Sequence, residues 1–429
     1  MTRAFSSVLL LLLISLPSFS QDAIRKADVE RLIRTLSADS LEGRGSLTPG
    51  NDKASRFVAS EFASIGLKPI PGETGYLQNV PVTEKTPGLR EIAVNGAPVP
   101  ADELIVMSDA ASVSADQSAD VAVAYIAKDA KLRQRFSSIA AQKKNTLVLI
   151  ARDQKASFDR YRGFYGGKSI DDGKGDSTWI VAVLADSVPV TSFKVHFQST
   201  VEEKQLHNVA GMIPGKRPNE IVLFSAHYDH LGILTPVDGD SIANGADDDA
   251  SGTAGVMTLA RYFAGKGTPE RTLMFVAFAA EEIGGFGSHY FSKHLKPESI
   301  VAMCNIEMIG MPSKFGPNSA WITGFNRSDL GKIVQEASKE SGFSLYPDPY
   351  PAQNLFFRSD NATLARLGVP AHSFSSSQID TDQYYHTVND EIETLDLDHM
   401  TLVIRGLAAG MAPIISGEKT PTRITDVGR

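Results

Sequence analysis

Five short clusters of acidic and imidazole side chains are where this sequence could do chemistry. They are Ala226-His227-Tyr228-Asp229-His230, Gly245-Ala246-Asp247-Asp248-Asp249-Ala250-Ser251-Gly252, Ala279-Ala280-Glu281-Glu282, Asn305-Ile306-Glu307-Met308 and Tyr384-Tyr385-His386-Thr387. Most fall where an apolar run ends. Glu281-Glu282 directly follows Leu273–Ala280, so a solvated surface does not account for the pair. Three aspartates before Ala-Ser-Gly suit the first turn of a helix, where carboxylates favour the positive end of the dipole. A lone His-x-Asp says little by itself. Gathered in one semi-buried crevice, though, these carboxylates would repel one another at a cost that burial amplifies. Two divalent cations would relieve that cost, and mixed imidazole and carboxylate ligands suit zinc in a hydrolytic site. The single cysteine, Cys304, lies in the mostly apolar run 300–308 and reads as a buried structural thiol. No intramolecular disulfide is possible, so any metal falls to His, Asp and Glu.

The elements that must position these clusters are apolar strands alternating with helices. Strands are expected at Ile221–Phe224, Thr272–Ala280 and Ile300–Met308, and helices at Ala250–Phe263 and Ser288–Leu295. The pattern predicts an α/β fold, a mixed and largely parallel central sheet flanked by helices. Ligands in such sheets bind beyond the carboxyl ends of the strands, where the clusters fall. Nearer the N-terminus, Asp28 or a neighbour caps a helix through Leu36. Asn51–Ile65 carries Ala54, Phe57, Val58 and Phe62 at helical spacing and stops at Gly66. Residues 81–203 change texture. Val121–Ile126 and Thr146–Ile150 read as strands around a polar helical stretch, and Gly163–Gly175 is glycine-rich, which predicts an inserted, mainly β subdomain that shapes a cleft.

The ends and the bulk composition set the surroundings. Arg3, the apolar run Val8–Leu16 and Ser18-Phe19-Ser20 form the three-part pattern of a secretory signal peptide over residues 1–20. The run is well short of the roughly 20 residues needed to span a bilayer, so a secreted or periplasmic protein without membrane insertion is expected. The organisation then reads 21–80 as the N-terminal part of the catalytic domain, 81–203 as the insertion, 204–418 as the main catalytic domain and 419–429 as a tail. Hydrophobic content of 42% and charged content of 21% are ordinary for globular chains. A net charge of −8 argues against nucleic acid or an anionic membrane as partner.

Taken with their order, Ser225–Gly232, Gly245–Gly252, Ala279–Gly284 and Tyr385-His386-Thr387 resemble the M28 family of zinc aminopeptidases and carboxypeptidases. Leu41-Glu42-Gly43-Arg44-Gly45 and Thr48-Pro49-Gly50 are also similar to that family. The resemblance covers residues 30–80 and 205–415 and implies the zinc-exopeptidase fold, a phosphorylase/hydrolase-like sheet, with two zinc ions per chain and peptides as substrates. It implies that His227 binds one zinc and that Asp229 orients its ring. Asp248 would bridge both ions, followed by a cis peptide bond to Asp249, while Asp247 and Asp249 serve the turn. Glu282 and His386 would bind the second ion. Glu307 would complete the first, where many relatives carry Asp. Glu281 is then the general base, and Tyr385 a candidate donor to the oxyanion. Ser359-Asp360-Asn361 matches a segment in which a His often follows the Asp; Asn361 replaces it here, and Asp360 reads as a buried anchor or a helix cap. His230 and His289 match no ligand position. His196, His207, His294, His372 and His399 read as structural or surface residues.

The expected activity is that of an exopeptidase, foremost an aminopeptidase. A carboxypeptidase or dipeptidase would need a cation for the substrate carboxylate, and Arg358 and Lys168 are the candidates. A glutaminyl cyclase on a similar domain, or a non-catalytic relative, would lack part of a ligand set that this chain retains in full.

Overall fold

The structure, a computed structural model, describes residues 23–427 apart from 174 and 176. The leader expected over 1–20 lies outside them. Two helices open the chain. In α1 (Lys26–Leu36), Val29, Leu32, Ile33 and Leu36 form one buried stripe, and Arg25, rather than Asp28, holds the N-cap position. α2 (Pro49–Ile65) starts before Asn51 because Thr48 accepts the Asn51 N–H and Pro49 fits the first turn. Gly66, at φ 85°, ends it as expected.

β1 (Leu77–Val94) and β2 (Phe193–Ile213) then form a long antiparallel ribbon. The remaining core elements are β3 (Arg217–His227), α3 (Gly252–Gly265), β4 (Arg271–Phe278), α4 (Phe286–Lys293), β5 (Ile300–Ile306), β6 (Ser319–Ile322), α5 (Leu330–Ser338), β7 (Ser344–Pro347), α6 (Asn361–Ala365), β8 (Ala371–Ser375) and α7 (Leu397–Ile415). The central sheet runs β7-β6-β8-β5-β3-β4-β2-β1. β3 pairs in parallel with β4 and β5, and β5 with β8, while β2 against β4 and β6 against β8 are antiparallel. The sheet is therefore mixed, with a parallel centre. Alternate residues of β3 serve opposite faces: Val222, Phe224 and Ala226 join the core under α3 and α7, whereas Leu223 packs with Met274, Val276, Phe291 and Leu364 on the other side. Burial on both faces is why these strands read as continuous apolar runs.

β4 and β5 stop short of the expected Ala280 and Met308. Both residues have positive φ, 61° and 48°, which turns the chain out of the sheet beside Glu281 and Glu307. The insertion is built on the same ribbon. β1 and β2 run through residues 81 and 203 without a break, carrying the central sheet into it. Beyond the ribbon lies a second sheet in the order Leu104–Ser108, Trp179–Leu184, Thr146–Ile150, Ala122–Ile126. Two of its three pairings are parallel, so helices Leu132–Ala140 and Lys155–Tyr165 serve as crossovers within a segment that is otherwise mostly strand.

Arg44 joins the N-terminal segment to the sheet. Its buried guanidinium donates to the carbonyls of Leu36, Tyr228, Asn244 and Gly245 at 2.5–2.8 Å. Burial lowers its proton affinity while Asp390, Asp229 and Asp248 nearby oppose that. Arg44→Met is expected to leave these carbonyls unpaired, at about 1–3 kcal/mol for each buried group. Urea unfolding of wild type and variant checks this: a loss on the order of 4 kcal/mol is expected, and one under about 1 kcal/mol would remove Arg44 as the tie between the N-terminal segment and the sheet.

Candidate metal centre

The acidic and imidazole residues converge beyond the carboxyl ends of β3, β4 and β5. His227 is the last residue of β3, Glu281 and Glu282 follow the turn after β4, and Glu307 follows β5. Asp248 lies in the irregular turn Ala246–Ser251 that leads into α3, and the peptide bond from Asp248 to Asp249 is cis, as the resemblance implied. His386, at φ 58°, sits on the long connection between β8 and α7.

Asp248 lies between two groups. Its Oδ1 is 3.2 Å from His227 Nε2, which is 3.3 Å from Glu307 Oε1. Its Oδ2 is 3.2 Å from His386 Nε2, which is 3.1 Å from Glu282 Oε2. Tetrahedral ligands at zinc bond lengths lie about 3.3–3.4 Å apart, close to these separations. His386 Nε2 makes no hydrogen bond of acceptable geometry to either oxygen. On the His386 side the facing ligand atoms share no hydrogen bond, an arrangement that a cation satisfies. His227, Asp248 and Glu307 form one set able to hold a metal, and His230, Asp248 and Glu282 another. Glu281 belongs to neither.

Several supports were not legible in the motifs. Asp390 accepts the backbone N–H groups of Asp247 and Asp248 at 2.8 and 3.0 Å. Asp249 does more than shape its turn: it accepts N–H groups from His227, Gly252 and Met308, tying β3, α3 and the end of β5 together. Asp247 likewise accepts the Gly310 N–H at 2.7 Å. Ser359 donates to Glu307 Oε2 at 2.5 Å, so the longer glutamate is held with Oε1 toward His227.

Asp229 needs correction in detail. The resemblance implied its carboxylate as the orienter of His227, but that group stands 3.8 Å from Nδ1. The backbone carbonyl of Asp229 is the closer partner, at 3.1 Å. The carboxylate is drawn instead to the N–H groups of Glu281 and Glu282 and to the Ser46 hydroxyl. It therefore positions the Glu281-Glu282 turn. Asn361 is structural, donating to the carbonyls of Phe356 and Ala371, and Asp360 makes no side-chain cap on α6. Lys168 pairs with Glu84 on the ribbon and does not line the pocket; Arg358 does. His372 is buried between Ser328 and the Thr323 carbonyl, a structural residue as expected.

The charge balance is strained without cations. Burial pushes the Glu281 carboxyl well up, helped by Asp360, Glu307 and Glu282 and opposed by His227. Burial and neighbouring carboxylates likewise push Asp360 up to about 7 and Asp390 to about 6. Burial would lower His386, yet Asp248 and Glu282 outweigh it and push the imidazole up to about 10. Burial raises Asp248, but His227 and His386 hold it well below the usual range. Groups with raised values stabilise the fold at low pH and lose that contribution as pH climbs through the folded value. The depressed Asp248 and Glu282 act only below the ordinary carboxylate range. Metal-free protein is thus expected to melt at falling temperature from pH 5 to 8. Metal-loaded protein should show the opposite slope, because binding displaces protons. Thermal melts of both forms across that range check the sign reversal; parallel slopes would refute it.

A pocket of about 240 Å³ opens over the two groups. Met308, Trp321, Leu355 and Ile379 give it an apolar wall, and Arg358, Asp382 and Tyr385 also line it. Tyr385 stacks on His386 with ring centroids 3.8 Å apart. Its phenol is pushed up by burial and by Asp248, Glu282 and Glu307, so it stays a donor.

Comparison with known proteins agrees with this geometry. Residues 208–411 match the model of peptidase family M28. Leucine aminopeptidase 1 of Pyrenophora tritici-repentis is 30% identical over 208 residues, 45% of this chain and 51% of that protein. Leucine aminopeptidase 1 of Sclerotinia sclerotiorum is 28% identical over 248 residues, 54% of this chain and 62% of that one. The matches span less than two thirds of either relative's own length. Among solved structures, an aminopeptidase from Aneurinibacillus sp. strain AM-1 superposes with a TM-score of 0.56 at 19% identity, covering 92% of this chain and 95% of that one. A zinc aminopeptidase from Bacillus subtilis gives 0.56 at 15% identity, covering 95% and 100%. These share the fold. The segment that matches peptidase family M28, residues 208–411, carries every acidic and imidazole residue of the crevice.

Proposed function

We propose that this protein is an exported aminopeptidase that removes apolar N-terminal residues from peptides with two zinc ions per chain. The observation that carries the reading is the placement of Asp248, whose two oxygens each face a separate imidazole and carboxylate pair. His227, Asp248 and Glu307 would hold one ion, and Asp248, Glu282 and His386 the other. When bound, two such ions supply Lewis-acid polarisation of the scissile carbonyl and make water acidic enough to attack at neutral pH. Glu281, close to both groups but outside either, takes the proton of the attacking water and returns it to the leaving amine. Tyr385 donates its hydroxyl to the oxygen that becomes negative. The wall of Met308, Trp321, Leu355 and Ile379 takes an apolar side chain, in keeping with the leucine aminopeptidases among the relatives. Export rests on the charged, apolar and small-residue pattern of residues 1–20, and no helix among the described residues is long and apolar enough to cross a membrane.

A carboxypeptidase reading has one observation in its favour, the guanidinium of Arg358 at the pocket. Hydrolysis of leucyl amides and dipeptides with free or acetylated amino termini separates the two, with zinc measured on the same protein. Cleavage that requires the free amine, with two zincs per chain, is expected. Cleavage that requires a free C-terminal carboxylate would transfer the assignment to carboxypeptidase.

A further inference from the structure

We propose that His230 is a positioning residue that fixes Glu282 for the second metal, an inference that rests on the two-ion reading above. Its Nδ1 is 2.9 Å from Glu282 Oε1 and 3.8 Å from Asp248 Oδ2. The ring is fully enclosed, and its Nε2 is buried with no hydrogen-bond partner among the described residues. A neutral imidazole carries one N–H, and burying that N–H against no acceptor is costly. The proton therefore belongs on Nδ1, where Glu282 Oε1 accepts it. That leaves Oε2 toward His386 at 3.1 Å. The carboxylate is thus presented through one chosen oxygen, and a single fixed geometry replaces rotation about the end of the side chain.

The placement of His230 is itself fixed. Its backbone N–H donates to the Arg44 carbonyl, and its ring lies against Gly245, where an added Cβ would stand 2.5 Å from the ring carbons. Only glycine at the start of the aspartate turn leaves room for this imidazole. His386, by contrast, is half-buried on a loop and cannot order Glu282 from its side alone.

The test is metal affinity, measured by equilibrating metal-free protein in buffers of graded free zinc and counting zinc per chain. His230→Leu fills the space without a donor, and His230→Asn places an amide N–H near the position of Nδ1–H. His230→Leu is expected to weaken the second zinc by about 10–100-fold and leave the first within about 3-fold, with His230→Asn recovering most of the loss. Unfolding midpoints of the metal-free variants identify any general loss of fold, and the asparagine variant keeps the comparison decisive if leucine is not tolerated. Unchanged affinities in His230→Leu would overturn the proposal. Asparagine as weak as leucine would also overturn it, since the ring nitrogen would then act as a ligand. Wild-type protein that never holds a second zinc would defeat the two-ion reading before any substitution, and the proposal with it.

Discussion

Glu281→Gln is expected to lower kcat by about 10²–10⁴-fold while zinc content stays at the wild-type level. The substitution preserves shape and removes only the capacity to take a proton. Three features single out Glu281 for that task. It lies in the pocket beside His227, Asp248 and Glu307, yet takes part in neither metal-binding set. Its backbone N–H is held by Asp229 Oδ1 at 3.0 Å, so the carboxylate is carried by a fixed turn. Burial first, and then Asp360, Glu307 and Glu282, raise its proton affinity, as a base that must accept a proton and give it back requires. The predicted loss corresponds to about 3–5 kcal/mol of transition-state stabilisation. Steady-state kinetics with metal analysis on the same preparation checks it. A variant that lost zinc would make Glu281 a ligand, and one that kept a tenth or more of the wild-type kcat would remove it as the base.

The parts of this site that could be read in the sequence are those carried by local pattern. β4 and β5 were legible because burial on both faces makes Leu273–Ala280 and Ile300–Met308 continuous apolar runs, and the charged residues at their ends stand out against them. Their last residues were misjudged because Ala280 and Met308 are apolar yet turn out of the sheet at positive φ, which hydrophobicity cannot report. α7 offered no face to read: apolar residues surround almost its whole circumference and Pro413 falls within it. The pairing directions inside the insertion could not be read, because short apolar strands look alike whether their neighbours are parallel or antiparallel; only the intervening helices tell them apart.

The supporting contacts lie at another level. Asp390 reaches Asp248 across 142 residues of chain, and Ser359 reaches Glu307 across 52. No spacing rule links such pairs, because they meet only when the β8–α7 connection and the segment before α6 fold over the strand ends. Asp229 shows the same limit over a short distance. Its carboxylate is near His227 in sequence, but two amide N–H groups of the Glu281-Glu282 turn compete for it and win. Hydrogen bonding to two backbone donors outweighs one longer contact to an imidazole whose nitrogen is already served by a carbonyl.

Asp248→Asn should be the most damaging substitution at the site, removing both zinc ions and all measurable peptidase activity. The amide keeps the volume and one carbonyl oxygen. It replaces the other oxygen with a nitrogen that carries hydrogens and cannot bind a cation. Since Oδ1 faces the His227 and Glu307 pair and Oδ2 faces the His386 and Glu282 pair, either orientation of the amide disables one side, and the lost charge weakens the other. Glu307→Gln and Glu282→Gln, by contrast, should each weaken chiefly one ion. The three variants therefore make an internal comparison in which position decides the outcome, although each is a single acid-to-amide change. Zinc per chain after dialysis at fixed free zinc is the measurement. About two are expected in wild type, one in each glutamate variant and none in Asp248→Asn. An Asp248→Asn chain that kept one ion with unaltered affinity would show that the two groups do not share this carboxylate, and the co-catalytic reading of the centre would fail at its bridging residue.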